Sequence, residues 1–318
     1  DLRVVHCADL ACASSTLTTV QSQGNVGQYS SVVIGSDGLP LISYYGATNG
    51  DLRVAHCTDA ACTTATALTL DQGGHVGQFT SITIGTDGLG LISYYDAANG
   101  DLKTAHCDDV ACASAKITTL INEGDVGRFT AITVGADGLA LISYYDATNG
   151  DLKVAHCVDV ACGSARESTL DSTGNVGQHG SVTIGSDGLA LISYYDAEKG
   201  DLKVAHCSDL ECSSARVNIL QSKDDVGRFT SIAIGPDGRG LISYYDATNG
   251  DLRVAHCGDV ECHSATHTAV QGEDDVGQFT TITIGVDGRA LISYYDVTNG
   301  DLKVAHCSNS FCVPYHRR

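Results

Sequence analysis

Seven times along the chain a histidine sits directly before a cysteine, with a second cysteine five residues further on. His6, His56, His106, His156, His206, His256 and His306 precede the pairs Cys7/Cys12, Cys57/Cys62, Cys107/Cys112, Cys157/Cys162, Cys207/Cys212, Cys257/Cys262 and Cys307/Cys312. Two thiolates, an imidazole and a nearby Asp are a donor set that zinc accepts. Adjacent residues on a strand face opposite ways, however, so His156 and Cys157 diverge. Fourteen cysteines in evenly spaced pairs with none left over point instead to disulfides and to an oxidising compartment. A bridge around so short a connection stabilises by about 2 kcal/mol on the chain-entropy account. The histidines are then expected to be structural, buried between sheets and hydrogen-bonded to a residue such as Ser143 or Asp146. A set of six or seven equivalent catalytic centres is not expected, nor is a metal.

Two other recurring groups could do chemistry. The second tyrosine of each Tyr-Tyr pair, Tyr45, Tyr95, Tyr145, Tyr195, Tyr245 and Tyr295, could offer an aromatic platform to a sugar. Packing between sheets accounts for at least one tyrosine of each pair, because both faces of that strand must be covered. Asp37, Asp87, Asp137, Asp187, Asp237 and Asp287 each precede Gly, which is turn chemistry. Calcium is the one cofactor these acids bring to mind, but its loops gather several close oxygens where each turn has one carboxylate. Asp224/Asp225 and Asp274/Asp275 are the better cation candidates. There is no Gly-rich phosphate loop, no Gly-x-Ser-x-Gly elbow and no repeated Arg cluster.

The elements that hold these groups come from one stretch, Leu141-Ile-Ser-Tyr-Tyr-Asp-Ala-Thr-Asn-Gly-Asp-Leu-Lys-Val-Ala-His-Cys157. Near copies begin at Leu41, Leu91, Leu191, Leu241 and Leu291, and its second half opens the chain as Asp1 to Cys7. Two alternating apolar runs flank an Asn-Gly pair, the signature of a tight hairpin. Before it comes a short alternating strand such as Ser81-Ile-Thr-Ile-Gly85 and an Asp87-Gly88 turn. After the cysteine pair comes a Thr-rich strand such as Ser15 to Val20, then a variable polar segment such as Gln21 to Gln28. No segment has helical periodicity.

Four antiparallel strands in each repeat of fifty residues predict an all-β, six-bladed β-propeller of four-stranded antiparallel blades, with one disulfide hairpin per repeat. The first strand is expected to line the axis and the fourth to form the rim. A β-solenoid is the alternative, but its repeats lack this hairpin punctuation. The chain is expected to be a single domain, 1–318, closed by its N- and C-terminal strands, with 1–20 completing the blade begun at 280–307. One copy of the third strand, Asp1 to Cys7 or Asp301 to Cys307, is then surplus and free to pair elsewhere. The tail Phe311 to Arg318 leaves the repeat and is expected to cap the outer strand or dock elsewhere.

With 18 Lys and Arg against 38 Asp and Glu, the formal charge of −20 disfavours nucleic acid and anionic lipid. No apolar run approaches the roughly 20 residues of a membrane-spanning helix. Methionine is absent even at position 1, which points to a processed chain whose signal peptide has gone.

The Ile-Gly-x-Asp-Gly turn followed by Leu-Ile-Ser-Tyr-Tyr-Asp resembles the repeats of secreted bacterial β-propeller proteins, a loose class that includes multivalent lectins. The turn is also similar to the Asp-box of sialidases, Ser-x-Asp-x-Gly-x-Thr-Trp, but departs from it: Gly38 follows Asp37 directly and the chain has no Trp. Arg3, Arg128, Arg166 and Arg239 sit at unmatched repeat positions, where a sialidase site would want an Arg triad. The expectation is therefore a secreted or cell-surface structural and interaction protein without catalytic activity. Its expected partner is itself, assembling head to tail through the terminal strands into filaments or layers. The alternative is a lectin-like propeller that binds glycans multivalently.

Overall fold

The computed structural model describes residues 1–312, and among them every regular element is a β-strand. The expected fold is the observed one, an all-β six-bladed propeller. The chain falls into two compact units, Asp1–Ala8 with Ser15–Ser168, and Asp9–Ser14 with Thr169–Arg318.

The first unit opens with β1 (Leu2–Cys7) and β2 (Ser15–Gln21), which form a two-stranded sheet of their own. The first complete blade follows: β3 (Val26–Ile34), β4 (Pro40–Gly46), β5 (Asp51–Cys57) and β6 (Ala65–Asp71). The second is β7 (Val76–Ile84), β8 (Gly90–Asp96), β9 (Asp101–Cys107) and β10 (Ala115–Ile121). The third is β11 (Val126–Val134), β12 (Ala140–Asp146), β13 (Asp151–Cys157) and β14 (Ala165–Asp171), the unit boundary falling within β14.

The second unit holds the fourth blade, β15 (Val176–Ile184), β16 (Ala190–Asp196), β17 (Asp201–Cys207) and β18 (Ala215–Gln221). The fifth blade is β19 (Val226–Ile234), β20 (Gly240–Asp246), β21 (Asp251–Cys257) and β22 (Ala265–Gln271). The last blade has three strands, β23 (Val276–Ile284), β24 (Ala290–Asp296) and β25 (Asp301–His306). Both copies of the duplicated third strand are therefore in use: β1 pairs with β2, and β25 pairs with β24 from Leu291↔His306 to Asp296↔Asp301. The tail beyond residue 312 lies outside the described residues.

The second strands β4, β8, β12, β16 and β20 are buried along their whole length, and β24 only in part. Leu41, Leu52 and Val54 of the first blade pack with Val76, Ile82, Ile92 and Tyr94 of the second. Within the second unit, Leu191, Leu202 and Val204 meet Val226, Ile232, Ile242 and Tyr244 in the same way. The contact is close enough to fix a residue type: a Cβ on Gly77, which has φ +99°, would lie 2.6 Å from Leu52 Cα.

Two local features differ from the sequence expectation. The Asn-Gly hairpin is not a two-residue turn. Asp146 pairs with Asp151 across four intervening residues, and the Gly150 N–H returns to the Asp146 carbonyl at 2.8 Å. The side chain of Asp146 makes the longer turn worthwhile by accepting from the N–H groups of Thr148 and Asn149. The first strand also carries a bulge after Val-Gly, where the register shifts twice between Val126 and Ala131. The bulge places Phe129 at φ 53°.

The first and last blades each expose a position that the other blades bury. Leu302 on β25 is 62% exposed, whereas Leu52, Leu102, Leu152, Leu202 and Leu252 are 0% exposed. On β3, Val32 is 63% exposed, whereas its equivalent Ile82 is 6% exposed.

Candidate functional site

The cysteine pairs lie where β5 turns into β6 and at the matching place in the other blades. Cys57–Cys62, Cys107–Cys112, Cys157–Cys162, Cys207–Cys212, Cys257–Cys262 and Cys307–Cys312 are disulfides with Cα separations of 4.8–4.9 Å. Cys7 and Cys12 are oxidised as well, and no cysteine is free. An Asp inside each short loop but the last, where Asn309 stands, ties it further: Asp209 accepts from the Ser213 backbone at 3.0 Å and from the Ser213 hydroxyl. These bonds, the hydroxyl first, hold the Asp209 carboxyl below its ordinary range.

The recurring histidines make a bond other than the one expected. His56 Nε2 lies 2.9 Å from Asp37 Oδ2, and His106, His156, His206, His256 and His306 repeat the contact with the turn Asp of their own blade at 2.8–3.0 Å. The reason is register: Leu141 opposes His156 at the start of β12, beside the turn that carries Asp137. Ser143 and Asp146 lie further along that strand. The Leu39 backbone N–H chiefly, and then the His56 ring, hold the Asp37 carboxyl below its ordinary range. The dyads therefore clamp the β3–β4 turn to β5, as Ser36 does between blades by donating to the Gly88 carbonyl at 2.8 Å.

In the second blade the two tyrosines of the pair reach in opposite directions. Tyr94 donates to Asp71 on the preceding blade at 2.7 Å, while Tyr95 donates to Asp125, ahead of the next blade, at 2.7 Å. Tyr45, Tyr95, Tyr145, Tyr195 and Tyr245 are all buried, and Tyr295 on the last blade is 37% exposed. Burial first, and then the Asp71 and Asp171 charges, push the Tyr94 and Tyr194 hydroxyls far above their ordinary range, so both stay protonated donors. A lysine joins each group: Lys103 Nζ lies 2.6 Å from Asp71, and Lys203 pairs with Asp171 while buried. Sequence reasoning missed these cation networks, although Lys or Arg recurs two residues after each Asn-Gly-Asp.

One member of each acidic pair is engaged too. Asp225 accepts from Arg228 Nη2 at 2.6 Å and from Tyr195, and Asp275 accepts from Tyr245. Among the described residues no three His, Cys, Asp or Glu side chains converge as a metal would need. The residue at the bulge forms an aromatic ladder within each unit. Tyr29, Phe79 and Phe129 follow one another at centroid distances of 4.5 and 4.6 Å, and His179, Phe229 and Phe279 at 4.5 and 4.4 Å.

No family model and no curated protein matches the chain. Solved structures do. A protein of unknown function from Dyadobacter fermentans superposes with a TM-score of 0.64 at 14% identity, over 91% of this chain and 96% of that one. The NanB sialidase of Streptococcus pneumoniae gives 0.63 at 9% identity, over 91% and 68%. The α-L-arabinofuranosidase Arb93A of Fusarium graminearum gives 0.56 at 12%, over 89% and 92%. These likenesses establish the propeller fold. They also correct the expectation that the chain is not an enzyme. Enzymes stand among its structural neighbours, so blade repetition is no ground for excluding catalysis.

Proposed function

We propose that the protein is an extracellular interaction module that associates head to tail with further copies of itself. The observation that carries this reading is the exposure of Leu302, 62%, at a position buried in every earlier blade. Leu302 of β25 lacks the cover that Leu52 and its equivalents have, and Val32 of β3 lacks the cover that Ile82 has, while Leu2 of β1 already fills the Leu52-like place against Val26 and Ile42. Another copy docks on these open apolar positions, and a contact between unlike faces repeats without closing. The oxidised cysteines support an extracellular setting.

Sedimentation velocity over a range of concentrations tests it. Wild type is expected to form a concentration-dependent series of oligomers, and Leu302→Glu, which places a charge in that contact, is expected to stay monomeric. A wild-type chain that remains monomeric at the highest attainable concentration overturns the reading.

A second reading, carbohydrate binding, draws on the sialidase and arabinofuranosidase among the structural neighbours and on Tyr295, the one tyrosine of its set with an open face. A glycan array answers it, with loss of signal in Tyr295→Ala as the expected confirmation.

A further inference from the structure

One position departs from the repeat in a way that leaves a cation without its anion. Residue 46 is Gly, where the other blades carry Asp96, Asp146, Asp196, Asp246 and Asp296. In the third blade that carboxylate receives the N–H groups of Thr148 and Asn149 at 3.0 and 3.1 Å on one oxygen, and Asn149 Nδ2 at 2.8 Å on the other. It also faces the basic residue of the next strand. Arg253 Nη1 lies 2.9 Å from Asp246, and Lys153 Nζ lies 3.6 Å from Asp146.

None of this is available to the first blade. The Asn49 N–H turns to the Gly46 carbonyl at 3.2 Å, and its side-chain amide has no carboxylate to meet. Arg53 has lost its partner on the preceding sheet as well, because Gln21 stands where Asp71 and Asp171 serve Lys103 and Lys203. With its amide oxygen turned toward the guanidinium, Gln21 accepts from Nη1 and Nη2 at 3.2 and 3.1 Å. Arg53 Nε is buried without a partner; so is Nε of Arg253, but there Nη1 has Asp246. Among the described residues Arg53 is thus the one basic residue at this repeat position that makes no ion pair. Beside it lies a cavity of about 260 Å³ whose lining includes Gln23, Gly24, Gly46, Thr48, Asn49 and Arg53.

We propose that this cavity binds the carboxylate of a small molecule in the place of the missing Asp side chain, with Arg53 and Asn49 as its donors. The other blades display the same recognition with a tethered carboxylate; in the first blade Arg53 leans toward Gly46, its Cδ 2.9 Å from where a Cβ would stand, so a free carboxylate reaches the guanidinium from the cavity. A half-buried guanidinium whose Nε has no partner and whose charge has no counter-ion favours such a guest. The formal charge of −20 opposes general uptake of anions, so any binding is local to this site. The inference stands on residues that the self-association reading does not use.

The test is calorimetric titration of the intact chain with acetate and with glucuronate, using acetamide, glucose and chloride as controls. One saturable carboxylate site is expected, with no heat from the neutral analogues. Tighter binding of glucuronate points to a sugar acid as the source, and tighter binding of acetate to a simple organic acid. Gly46→Asp supplies the carboxylate from within and is expected to weaken binding by about tenfold or more, the worth of a charge-assisted hydrogen bond. Asp246→Gly opens the equivalent space beside Arg253 and is expected to add a second site. Absence of binding, equal affinity in Gly46→Asp, or an equal response to acetamide overturns the proposal.

Discussion

His179 stands where four other repeats place Phe79, Phe129, Phe229 and Phe279, and it keeps the ladder by stacking on Phe229 at 4.5 Å. Burial chiefly, and then the Arg228 charge, lower its pKa from 6.5 to about 4. The folded state therefore holds the ring neutral while the unfolded chain takes up a proton below pH 6.5. Stability is full above that value and declines as the pH falls toward 4, by on the order of 3 kcal/mol. Urea unfolding of wild type and His179→Phe between pH 7 and pH 4 checks this, and the variant is expected to lose this component of the decline. The turn aspartates add to the loss only at lower pH, since Asp37 sits below its ordinary 3.8 when folded. At this scale the sequence was only partly legible. Each repeat contains His156 and Asp137 or their equivalents, but their pairing depends on β12 and β13 meeting with Leu141 opposite His156, and that follows from a turn two residues longer than Asn-Gly suggests.

Among the elements, the short disulfide hairpin is the simplest to perturb. Replacing Cys57 and Cys62 together by Ser is expected to cost about 2 kcal/mol in denaturant unfolding, because the bridge mainly restricts the unfolded chain. The Asp59 contacts with Thr63 remain and keep the loop in shape. Strands, order and cysteine pairing could all be read from alternation and spacing. The bulge could not. A phenylalanine at φ 53° goes against ordinary backbone preference, and it is held there by neighbours fifty residues away, with Phe79 and Phe129 in ring contact. The recurring Val-Gly was the only local sign, and its cause, the approach of Gly77 to Leu52, is a contact between blades.

For the molecule as a whole, like-charge repulsion sets the conditions under which the uncovered faces can meet. At a formal charge of −20, copies repel one another at low ionic strength, and screening relieves this. Light scattering at fixed protein concentration is expected to show larger particles as sodium chloride is raised, and Leu302→Glu is expected to remove that response. The surplus strand expected from the repeat count is paired in both its copies, β1 with β2 and β25 with β24, because three-dimensional bonding and not the count sets the partners. That near-duplication matters during synthesis. Asp1–Cys7 leaves the ribosome before β4 and could capture its edge almost as well as β5 does. A hairpin closes in roughly 1–10 μs, whereas translation at roughly 5–20 residues per second delivers the following copy seconds later. Once β2 has engaged β1, every later strand meets its own neighbour long before a rival emerges, so vectorial emergence protects a chain whose modules would otherwise be interchangeable.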